Sequence, residues 1–346
     1  MDIKGKMKAA IAYGPSDIKI EYVDTPSLND DDALIKVKAI GVCPSDVRVY
    51  KGIYKKKYYE YGPDSYGLSG HEWSGEVAQV GNSVKQFAVG DRVAPEILVP
   101  CHTCWACRRG AVNLCPNKKV LNRGYAEYVK VPSKFLFPLP SKVSYEAAAF
   151  VEPIATVLRA NEKISPRPGD TVLVIGAGPM GLLHLQVSKL SGATVVVSEV
   201  VAGRLKVAEK LGANAVINPA KEDLQNRIKE LTDGHGADHI IVSTGNTEAI
   251  KSAFTAVSST GTILLFGGTY PPSTVPVDPN LIHYNEIRVI GSFAHRTVNV
   301  EKALKILSDN AIRAEELISN TFRLDQLKEA FELVDSGRSL KVNVKP

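Results

Sequence analysis

Residues 171–190 read TVLVIGAGPMGLLHLQVSKL, and this stretch determines how the middle of the chain folds. Its first part is a β-branched apolar run, which is typical of a strand buried on both faces. Apolar residues at helical spacing occupy its second half. Between the two lies a G-x-G-x-x-G turn, whose characteristic residues are Gly176, Gly178, Pro179, Met180 and Gly181.

Each glycine of this turn has a separate physical role. The first permits the tight turn, the second lets backbone approach a pyrophosphate, and the third lets the helix pack closely on the strand. The helix N-terminus then faces the phosphates. A second apolar strand ends at Glu199, about 20 residues further on, where a carboxylate that binds a ribose diol is expected. Together these features predict a dinucleotide site rather than a glycine-rich turn in a core.

Length, composition and charge exclude several function classes. A chain of 346 residues is long for one hydrophobic core, so two domains are expected. No apolar run reaches the roughly 18 residues of a membrane span, and no secretory signal is recognisable. The net charge of +5 is mild. We therefore expect a cytoplasmic protein with neither membrane nor nucleic acid as a partner.

The first third of the sequence has the pattern of a β-rich module. Apolar runs at residues 8–11, 18–23 and 33–40 are separated by Gly, Pro, Asn and Asp, as in all-β domains. Almost no helix is expected before residue 140. Strand and helix patterns then alternate between residues 193 and 290, which favours a parallel α/β sheet.

Four of the five cysteines lie in one turn-rich segment, spaced C-x-x-C-x-x-C-x7-C: Cys101, Cys104, Cys107 and Cys115. Without a secretory signal a disulfide framework is not expected, and this spacing suits one tetrahedral metal ion better than two bridges. A zinc ion held by four thiolates has no position left for water or substrate. The pattern therefore predicts a structural zinc ion that holds together a lobe with little core of its own.

The fifth cysteine, Cys43, has no cysteine left to pair with. A lone cysteine is most often a small buried hydrophobic residue. However, His71 and Glu72 follow a glycine, and Glu152 follows an alanine-rich helical stretch where an acid has no evident surface role. A cysteine, a histidine and a carboxylate supply three ligands and leave the fourth position open, which is the arrangement of a catalytic zinc ion.

The chain contains, in this order, the motifs GVCPSD (41–46), GHE (70–72), CHTCWACRRGAVNLC (101–115), AEYVKVP (126–132), VEP (151–153) and VIGAGPMG (174–181). In their order and coverage these motifs resemble a zinc-dependent medium-chain dehydrogenase, most nearly the polyol (sorbitol-type) and threonine dehydrogenase branches. The resemblance implies a GroES-like β-rich catalytic domain, which is formed by residues 1–154 and completed by residues 295–346. It also implies a Rossmann NAD-binding domain, 155–294, with a doubly wound parallel sheet, and an active site in the cleft between the domains.

The resemblance further implies roles for single residues. It assigns one catalytic zinc ion to Cys43, His71 and a glutamate, for which both Glu72 and Glu152 are candidates. The alternative for Glu72 is an ion pair behind the histidine. Ser45 matches the hydroxyl beside the metal that passes the substrate proton to solvent, although a serine in Pro-Ser-Asp would otherwise be a turn residue. Hydride would pass from the alcohol carbon to the nicotinamide.

The expected cofactor is NAD rather than NADP. Glu199 would accept hydrogen bonds from the ribose diol and repel a 2′-phosphate. Arg204 could accept such a phosphate, but an arginine at this offset accompanies the acid in NAD-using polyol and threonine relatives. The resemblance assigns further cofactor contacts to Thr244, Phe266, Gly267, Ser292 and Phe293.

Several segments depart from the family pattern. Arg48 stands where many relatives have a relay histidine, and arginine cannot shuttle protons near neutrality. Ala294 and His295 align with the arginine and tyrosine that sorbitol-type enzymes place on the substrate, which argues against sorbitol itself. His295 and Arg296 are candidates for substrate or interdomain contact. Residues 50–68, rich in tyrosine and lysine, are either part of the substrate cleft or a solvated loop.

These patterns predict hydride transfer from a secondary alcohol carbon of a polyol, cyclitol or sugar-type substrate to NAD, in a homodimer or homotetramer. An L-threonine 3-dehydrogenase and a simple secondary alcohol dehydrogenase are alternatives. A catalytically silent, zinc-stabilised nucleotide-binding protein is another, against which the complete set of open-site residues argues. A zinc-finger nucleic-acid binder would need a basic helix beside the four cysteines, for which the sequence offers only the pair Arg108 and Arg109.

Overall fold

The protein is described by a computed structural model, which covers residues 5–53 and 61–346. The chain divides into two compact units. The first contains the described residues of Met1–Ala155, together with Arg296–Asn310 and Ala314–Pro346; the second contains Thr156–His295 and Ala311–Arg313. The sequence predicted similar limits, 1–154 with 295–346 for the first domain and 155–294 for the second. These limits remain a prediction.

The strands, in chain order, are β1 (Lys6–Gly14), β2 (Asp17–Asp24), β3 (Asp32–Val42), β4 (Glu72–Val80), β5 (Arg92–Pro95), β6 (Leu98–Val99), β7 (Lys119–Val120), β8 (Tyr128–Pro132), β9 (Leu136–Pro138), β10 (Thr171–Ile175), β11 (Thr194–Ser198), β12 (Ala215–Ile217), β13 (Ala237–Val242), β14 (Val257–Leu265), β15 (Arg288–Gly291), β16 (Ile318–Arg323) and β17 (Lys341–Lys345).

The α-helices are α1 (Pro44–Tyr50), α2 (Trp105–Arg108), α3 (Tyr145–Ala148), α4 (Val151–Ile164), α5 (Pro179–Lys189), α6 (Ala202–Lys210), α7 (Leu224–Glu230), α8 (Thr247–Ala256), α9 (Pro279–Tyr284), α10 (Thr297–Ser308) and α11 (Leu327–Asp335). Short 3₁₀ turns lie at Pro63–Ser65, Val112–Leu114, Ser133–Phe135, Glu315–Leu317 and Leu324–Gln326. Among the described residues, no helix has both the length and the apolar character needed to cross a membrane.

The first unit is organised around a sheet with the strand order β16-β17-β3-β4-β5-β9, in which β8 also pairs with β3. β17 runs antiparallel to β3 and places Asn343 opposite Gly41. On the other side of β3, Gly41 lies opposite Glu72 of β4. The core under this sheet includes Trp73, Tyr125 and Phe331, each at most 1% exposed. The register therefore leaves only β3 between a late strand of the chain, β17, and the Gly-His-Glu segment.

The second unit is built on a parallel sheet with the order β12-β11-β10-β13-β14-β15. Strand β10 is buried along its whole length, as its β-branched run predicted. The order reverses between β10 and β13, and ligands of open α/β sheets bind beyond the carboxyl ends of the strands at such a point. The glycine-rich turn therefore leaves β10 at the edge where a ligand is expected.

The expected fold class, a β-rich unit plus a doubly wound parallel sheet, is confirmed. Two helices near the C-terminus, α10 and α11, each bury an apolar face. Helix α1, in contrast, was not expected from the sequence. Pro44 fixes φ at its first position, where no backbone N–H is needed, and Cys43 is its N-cap. Ser45 is consequently a residue of a first helical turn and not of an isolated turn.

Candidate metal centres and cofactor site

The four cysteines of residues 101–115 form one tight cluster. Their sulfur atoms lie within 4.8 Å of one another, with Sγ–Sγ distances of 3.5 Å from Cys115 to Cys101 and 3.8 Å from Cys115 to Cys104. All four are free thiols. Four Zn–S bonds of about 2.3 Å in a tetrahedron place the sulfurs about 3.8 Å apart. Donor type and spacing therefore fit one zinc ion with no open position.

The segment that carries these cysteines has little apolar packing of its own. Trp105 of α2 is 72% exposed and Leu114 is 56% exposed, while Cys115 is fully buried. The Thr103 hydroxyl lies 3.6 Å from Sγ of Cys101 and, with nearby backbone N–H groups, lowers the pKa of that thiol to about 5. At least one sulfur is thus prepared as a thiolate, the form that binds metal.

A second cluster consists of Cys43, His71 and Glu72, which each offer one ligand atom within 4.8 Å of the others. Cys43 caps α1, and His71 and Glu72 stand at the start of β4. All three lie in the first unit. Three donors of these types fit a tetrahedral zinc ion and leave one position for a further ligand.

Two acceptors determine which nitrogen of His71 is available. Nδ1 lies 2.9 Å from the backbone oxygen of Ser69 and 3.1 Å from Oδ1 of Asp46. Because the Ser69 oxygen can only accept, Nδ1 is the donor in this hydrogen bond, and Nε2 is the ring nitrogen that is available to a metal. Burial by itself would lower the pKa of His71. The neighbouring Asp46 and Cys43 raise it more strongly, so the net pKa lies well above its usual value. Sequence reasoning missed Asp46, although GVCPSD contains it.

Glu72 has a buried cationic partner that the sequence analysis did not identify. The ammonium group of Lys341, on β17, forms an ion pair with Oε2 of Glu72, and the two side chains are 4% and 2% exposed. Burial raises the pKa of Glu72 more than the positive charges of Lys341 and His71 lower it, so the net pKa is raised. Gly41 lies between the partners, where a Cβ would come within 2.7 Å of the Lys341 side chain. Only glycine leaves room for this pair.

Glu152 and Ser45 lie outside the three-donor cluster. Glu152 is in α4. Burial is the main cause of the raised pKa of Glu72, and the charge of Glu152 raises this pKa further, so the two carboxylates are neighbours. Ser45 is half-buried in the first turn of α1, two residues after Cys43. The structure thus groups Glu72, rather than Glu152, with Cys43 and His71. Residues 54–60, within the tyrosine- and lysine-rich segment, lie outside the described residues.

A cavity of about 540 Å³ lies in the second unit beside the glycine-rich turn. Gly176 has a φ of 100°, which favours glycine. A Cβ on Gly181 would collide with the carbonyl oxygen of Gly176, so α5 packs closely there. A Cβ on Gly178, in contrast, would meet nothing within 4 Å. This open space at a helix N-terminus fits the pyrophosphate of a dinucleotide.

Glu199 is held at the wall of this cavity by backbone groups. Its Oε1 accepts hydrogen bonds from the N–H groups of Val200 and Val201 at 2.8 and 3.0 Å, and Oε2 accepts one from Ala177 at 2.9 Å. The guanidinium of Arg204 lies 3.7 Å from Oε2. The carboxylate is therefore fixed in place, and it can still accept hydrogen bonds from a ligand because each oxygen has several acceptor positions.

The cavity brings together only some of the predicted cofactor residues, namely Gly176, Gly178, Glu199, Arg204 and Thr244. Its lining does not include Pro179, Met180, Gly181, Phe266, Gly267, Ser292 or Phe293. These residues follow the ends of three strands of the same parallel sheet, β10, β14 and β15. The lining also includes residues that the sequence analysis missed: Pro219, Leu224, Asn246, Ala249 and Ser252. Their positions after β12 and β13 are a signal that could have identified them.

The two predicted substrate residues differ in environment. His295 is 1% exposed, and its Nδ1 lies 3.5 Å from the hydroxyl of Thr156. The backbone N–H of Arg296 donates to the side chain of Asn299, at the start of α10. Burial of His295 favours a structural role over direct contact with substrate.

Comparison with known families adds to this geometry. The family model described as zinc-binding dehydrogenase matches residues 179–309, and the alcohol dehydrogenase GroES-like domain matches residues 29–141. Sorbitol dehydrogenase of Bacillus subtilis (strain 168) is 34% identical over 98% of this chain and 97% of its own length. The chain belongs to the zinc-dependent medium-chain dehydrogenases. The predicted family, and its polyol branch, are confirmed.

This dehydrogenase is also similar to D-arabitol-phosphate dehydrogenase of Enterococcus avium, with 33% identity over 98% of this chain and 97% of the relative. Among solved structures, a protein from Sinorhizobium meliloti 1021 described as a zinc-binding dehydrogenase matches with a TM-score of 0.91 and 30% identity. That match covers 99% of this chain and 100% of the other, and the other was solved bound to NADP. These similarities support a nicotinamide cofactor for the dehydrogenase.

Proposed function

We propose that this dehydrogenase transfers a hydride between a secondary alcohol carbon of a polyol, cyclitol or sugar-type substrate and NAD. The observation that carries the proposal is the three-donor cluster of Cys43, His71 and Glu72, which stays open where the four-cysteine cluster is closed. When bound, zinc supplies Lewis-acid polarisation of a substrate oxygen there, and NAD supplies the hydride acceptor.

The side chains of the first unit hold the metal and move the proton. The thiolate of Cys43, Nε2 of His71 and the carboxylate of Glu72 are the proposed ligands, with Glu152 as an additional carboxylate beside them. We assign to Oγ of Ser45 the acceptance of the alcohol proton and its transfer towards water. Arg48 keeps its charge near neutrality, so water completes this route.

The four-cysteine cluster has a different proposed role. It would bind one structural zinc ion, because four sulfur ligands leave no position for a substrate. We therefore propose two zinc ions per chain, one structural and one catalytic. The two clusters use different donor sets, so a variant of one is expected to leave the other loaded.

The residues of the second unit would bind NAD. The N-terminus of α5 and the open space above Gly178 suit the pyrophosphate, and Glu199 is placed to accept hydrogen bonds from a ribose diol. A buried carboxylate at this position disfavours the additional phosphate of NADP by charge repulsion. Thr244 lines the same cavity. We propose that Phe266, Gly267, Ser292 and Phe293 contact the cofactor outside it.

A Glu199→Ala variant is expected to reduce the ratio of kcat/KM with NAD to kcat/KM with NADP by about ten- to a hundredfold. The variant loses charged hydrogen bonds to the ribose, worth about 1.5–3 kcal/mol, and the repulsion of a 2′-phosphate. Steady-state kinetics with both cofactors measures the ratio. Glu248→Ala is the matched control, because Glu248 lines the same cavity but is 74% exposed and pairs with Lys251. An unchanged ratio in Glu199→Ala would contradict the assignment of NAD.

The experiment that tests the proposed reaction is NAD reduction by zinc-loaded enzyme with alditols, cyclitols, aldoses, threonine and simple secondary alcohols. We expect two zinc ions per chain and a clear preference for one polyhydroxylated substrate. A preference for threonine would support the threonine dehydrogenase alternative instead. Inactivity towards the whole series with two zinc ions would overturn the proposed substrate class, and a single zinc ion would overturn the open metal site.

We also propose that the enzyme is a homodimer or homotetramer. β15 is the outermost strand of the parallel sheet. Apolar groups are exposed on it and just before it in the chain, with Val289 of β15 at 38% and Tyr284 of α9 at 78%. Exposed apolar surface next to a sheet edge is typical of contact sites. Sedimentation equilibrium of the wild type would contradict the proposal if it gave the mass of one chain.

A further inference from the structure

A buried hydrogen-bonded chain runs from the core of the first unit to the backbone of Cys43, and an ion-pair contact extends it to His71. The hydroxyl of Tyr125 donates to Oδ2 of Asp46 at 2.8 Å. The same oxygen accepts the backbone N–H of Cys43 at 3.1 Å, and Oδ1 lies 3.1 Å from Nδ1 of His71. Asp46 is thus in contact with two of the three proposed ligands on one side and with Tyr125 on the other.

Tyr125 also packs directly against the segment that carries His71. A Cβ added to Gly70 would come within 2.8 Å of Cδ2 of the Tyr125 ring, so glycine is needed immediately before the histidine. On its other side the ring makes an edge-to-face contact with Phe331 at 5.5 Å between centroids. The phenol is therefore held in one position by its surroundings, and it can hold Asp46 in turn.

Burial excludes a role for this chain as a proton exit. Tyr125 and Asp46 are both 0% exposed, so the chain ends inside the core and not at solvent. Burial, and then the charge of Asp46, raise the pKa of Tyr125 well above its usual value, so the phenol remains a donor. A buried carboxylate needs such donors, because each acceptor left without a partner carries a desolvation cost.

We propose that Tyr125 is a positioning residue for the catalytic metal: it orients Asp46, and through Asp46 it orients the imidazole of His71. The inference rests on the proposed open metal site. Loss of a partner behind a ligand histidine typically lowers metal affinity by about 10- to 100-fold. Tyr125 acts one hydrogen bond further from the metal, so the expected effect of removing its hydroxyl is smaller, about three- to tenfold.

The test is the rate of zinc release from the full-length enzyme into an excess of a chromogenic chelator, compared between wild type and Tyr125→Phe. The release kinetics of Cys43→Ala identify the phase that belongs to the open site, since this variant lacks that phase. The matched control is Tyr50→Phe. Tyr50 is also buried and packs on Phe331 at 5.3 Å, but its hydroxyl donates to the backbone oxygen of Ser16.

We expect Tyr125→Phe to accelerate the open-site phase about three- to tenfold, and Tyr50→Phe to leave it unchanged, while the four-cysteine phase keeps its rate in both. Equal acceleration of both phases, or the same effect in Tyr50→Phe, would mean general loosening of the core and would overturn the inference. A wild-type rate in Tyr125→Phe would overturn it as well, without affecting the proposed function. A wild type with one zinc ion would overturn both.

A second variant keeps the inference testable if Tyr125→Phe is poorly folded. Asp46→Asn preserves the side-chain volume and removes the charge beside His71. We expect it to accelerate the open-site phase more than Tyr125→Phe does. In the Asp46→Asn background, Tyr125→Phe should add no further acceleration, because the hydroxyl acts through the carboxylate. Additive effects of the two changes would contradict the pathway through Asp46.

Discussion

A Cys43→Ala variant is expected to contain one zinc ion per chain in place of two and to lose at least about a thousandfold in kcat/KM. The three-donor cluster retains only His71 and Glu72, too few ligands to hold the metal. Lewis-acid stabilisation contributes several kcal/mol to the transition state, and each 1.36 kcal/mol is a factor of ten in rate. Elemental analysis gives the zinc content, steady-state kinetics the activity, and isothermal titration calorimetry the affinity for NAD.

The affinity for NAD is expected to stay at the wild-type value, because the residues of the cavity beside the glycine-rich turn belong to the second unit. Cys107→Ala is the comparison variant. It should also lose one zinc ion, but its first effect should be faster proteolysis of the lobe around Trp105, which has little apolar packing to replace the metal. A Cys43→Ala enzyme with two zinc ions and full activity would refute the open site.

The second large effect is expected in stability. A Lys341→Met variant should lower the free energy of unfolding of the first unit by about 3–5 kcal/mol, because it leaves the carboxylate of Glu72 buried without its cation. Both tryptophans of the chain, Trp73 and Trp105, lie in the first unit, so tryptophan fluorescence during urea unfolding reports on that unit. The loss should be larger in chelator-treated enzyme, where no metal charge compensates Glu72.

Lys345→Met provides a matched control on the same strand. Lys345 pairs with Glu146, but the two side chains are 49% and 30% exposed, so its loss should cost about 0–1 kcal/mol. The double variant Glu72→Gln/Lys341→Met should recover part of the stability lost in Lys341→Met, because no charge is then left unpaired. Equal effects of Lys341→Met and Lys345→Met would show that the buried pair contributes no more than a surface pair.

The parts of the fold that local sequence patterns specify could be predicted. The apolar run before Gly176 and the helix after it follow from side-chain periodicity, and both are found, as β10 and α5. The four closely spaced cysteines likewise form one cluster, since short spacings leave few alternatives for their sulfur atoms. The grouping of Cys43 with His71 could be predicted only through the order of motifs along the chain, because no local pattern joins them.

Other features depend on strand register and could not be predicted. Lys341 meets Glu72 only because β17 pairs with β3 on the side opposite β4. Tyr125 reaches Asp46 only because both are packed into the same core, around Phe331. Neither contact has a signal in the neighbouring residues. The choice between Glu72 and Glu152 was open for the same reason, since distances between remote carboxylates cannot be read from spacing.

The insertion of the second unit into the first has a consequence for synthesis on the ribosome. Thr156–His295 is complete before β16 and β17 have been made, so the parallel sheet can form while the main sheet of the first unit still lacks two strands. In that nascent chain Glu72 has no Lys341 beside it. Once the second unit is folded, its ends are close, with Thr156 Oγ1 3.5 Å from His295 Nδ1. This closure shortens the loop between β4 and β17 by about half, which lowers the entropic cost of pairing β17 by roughly 0.6 kcal/mol.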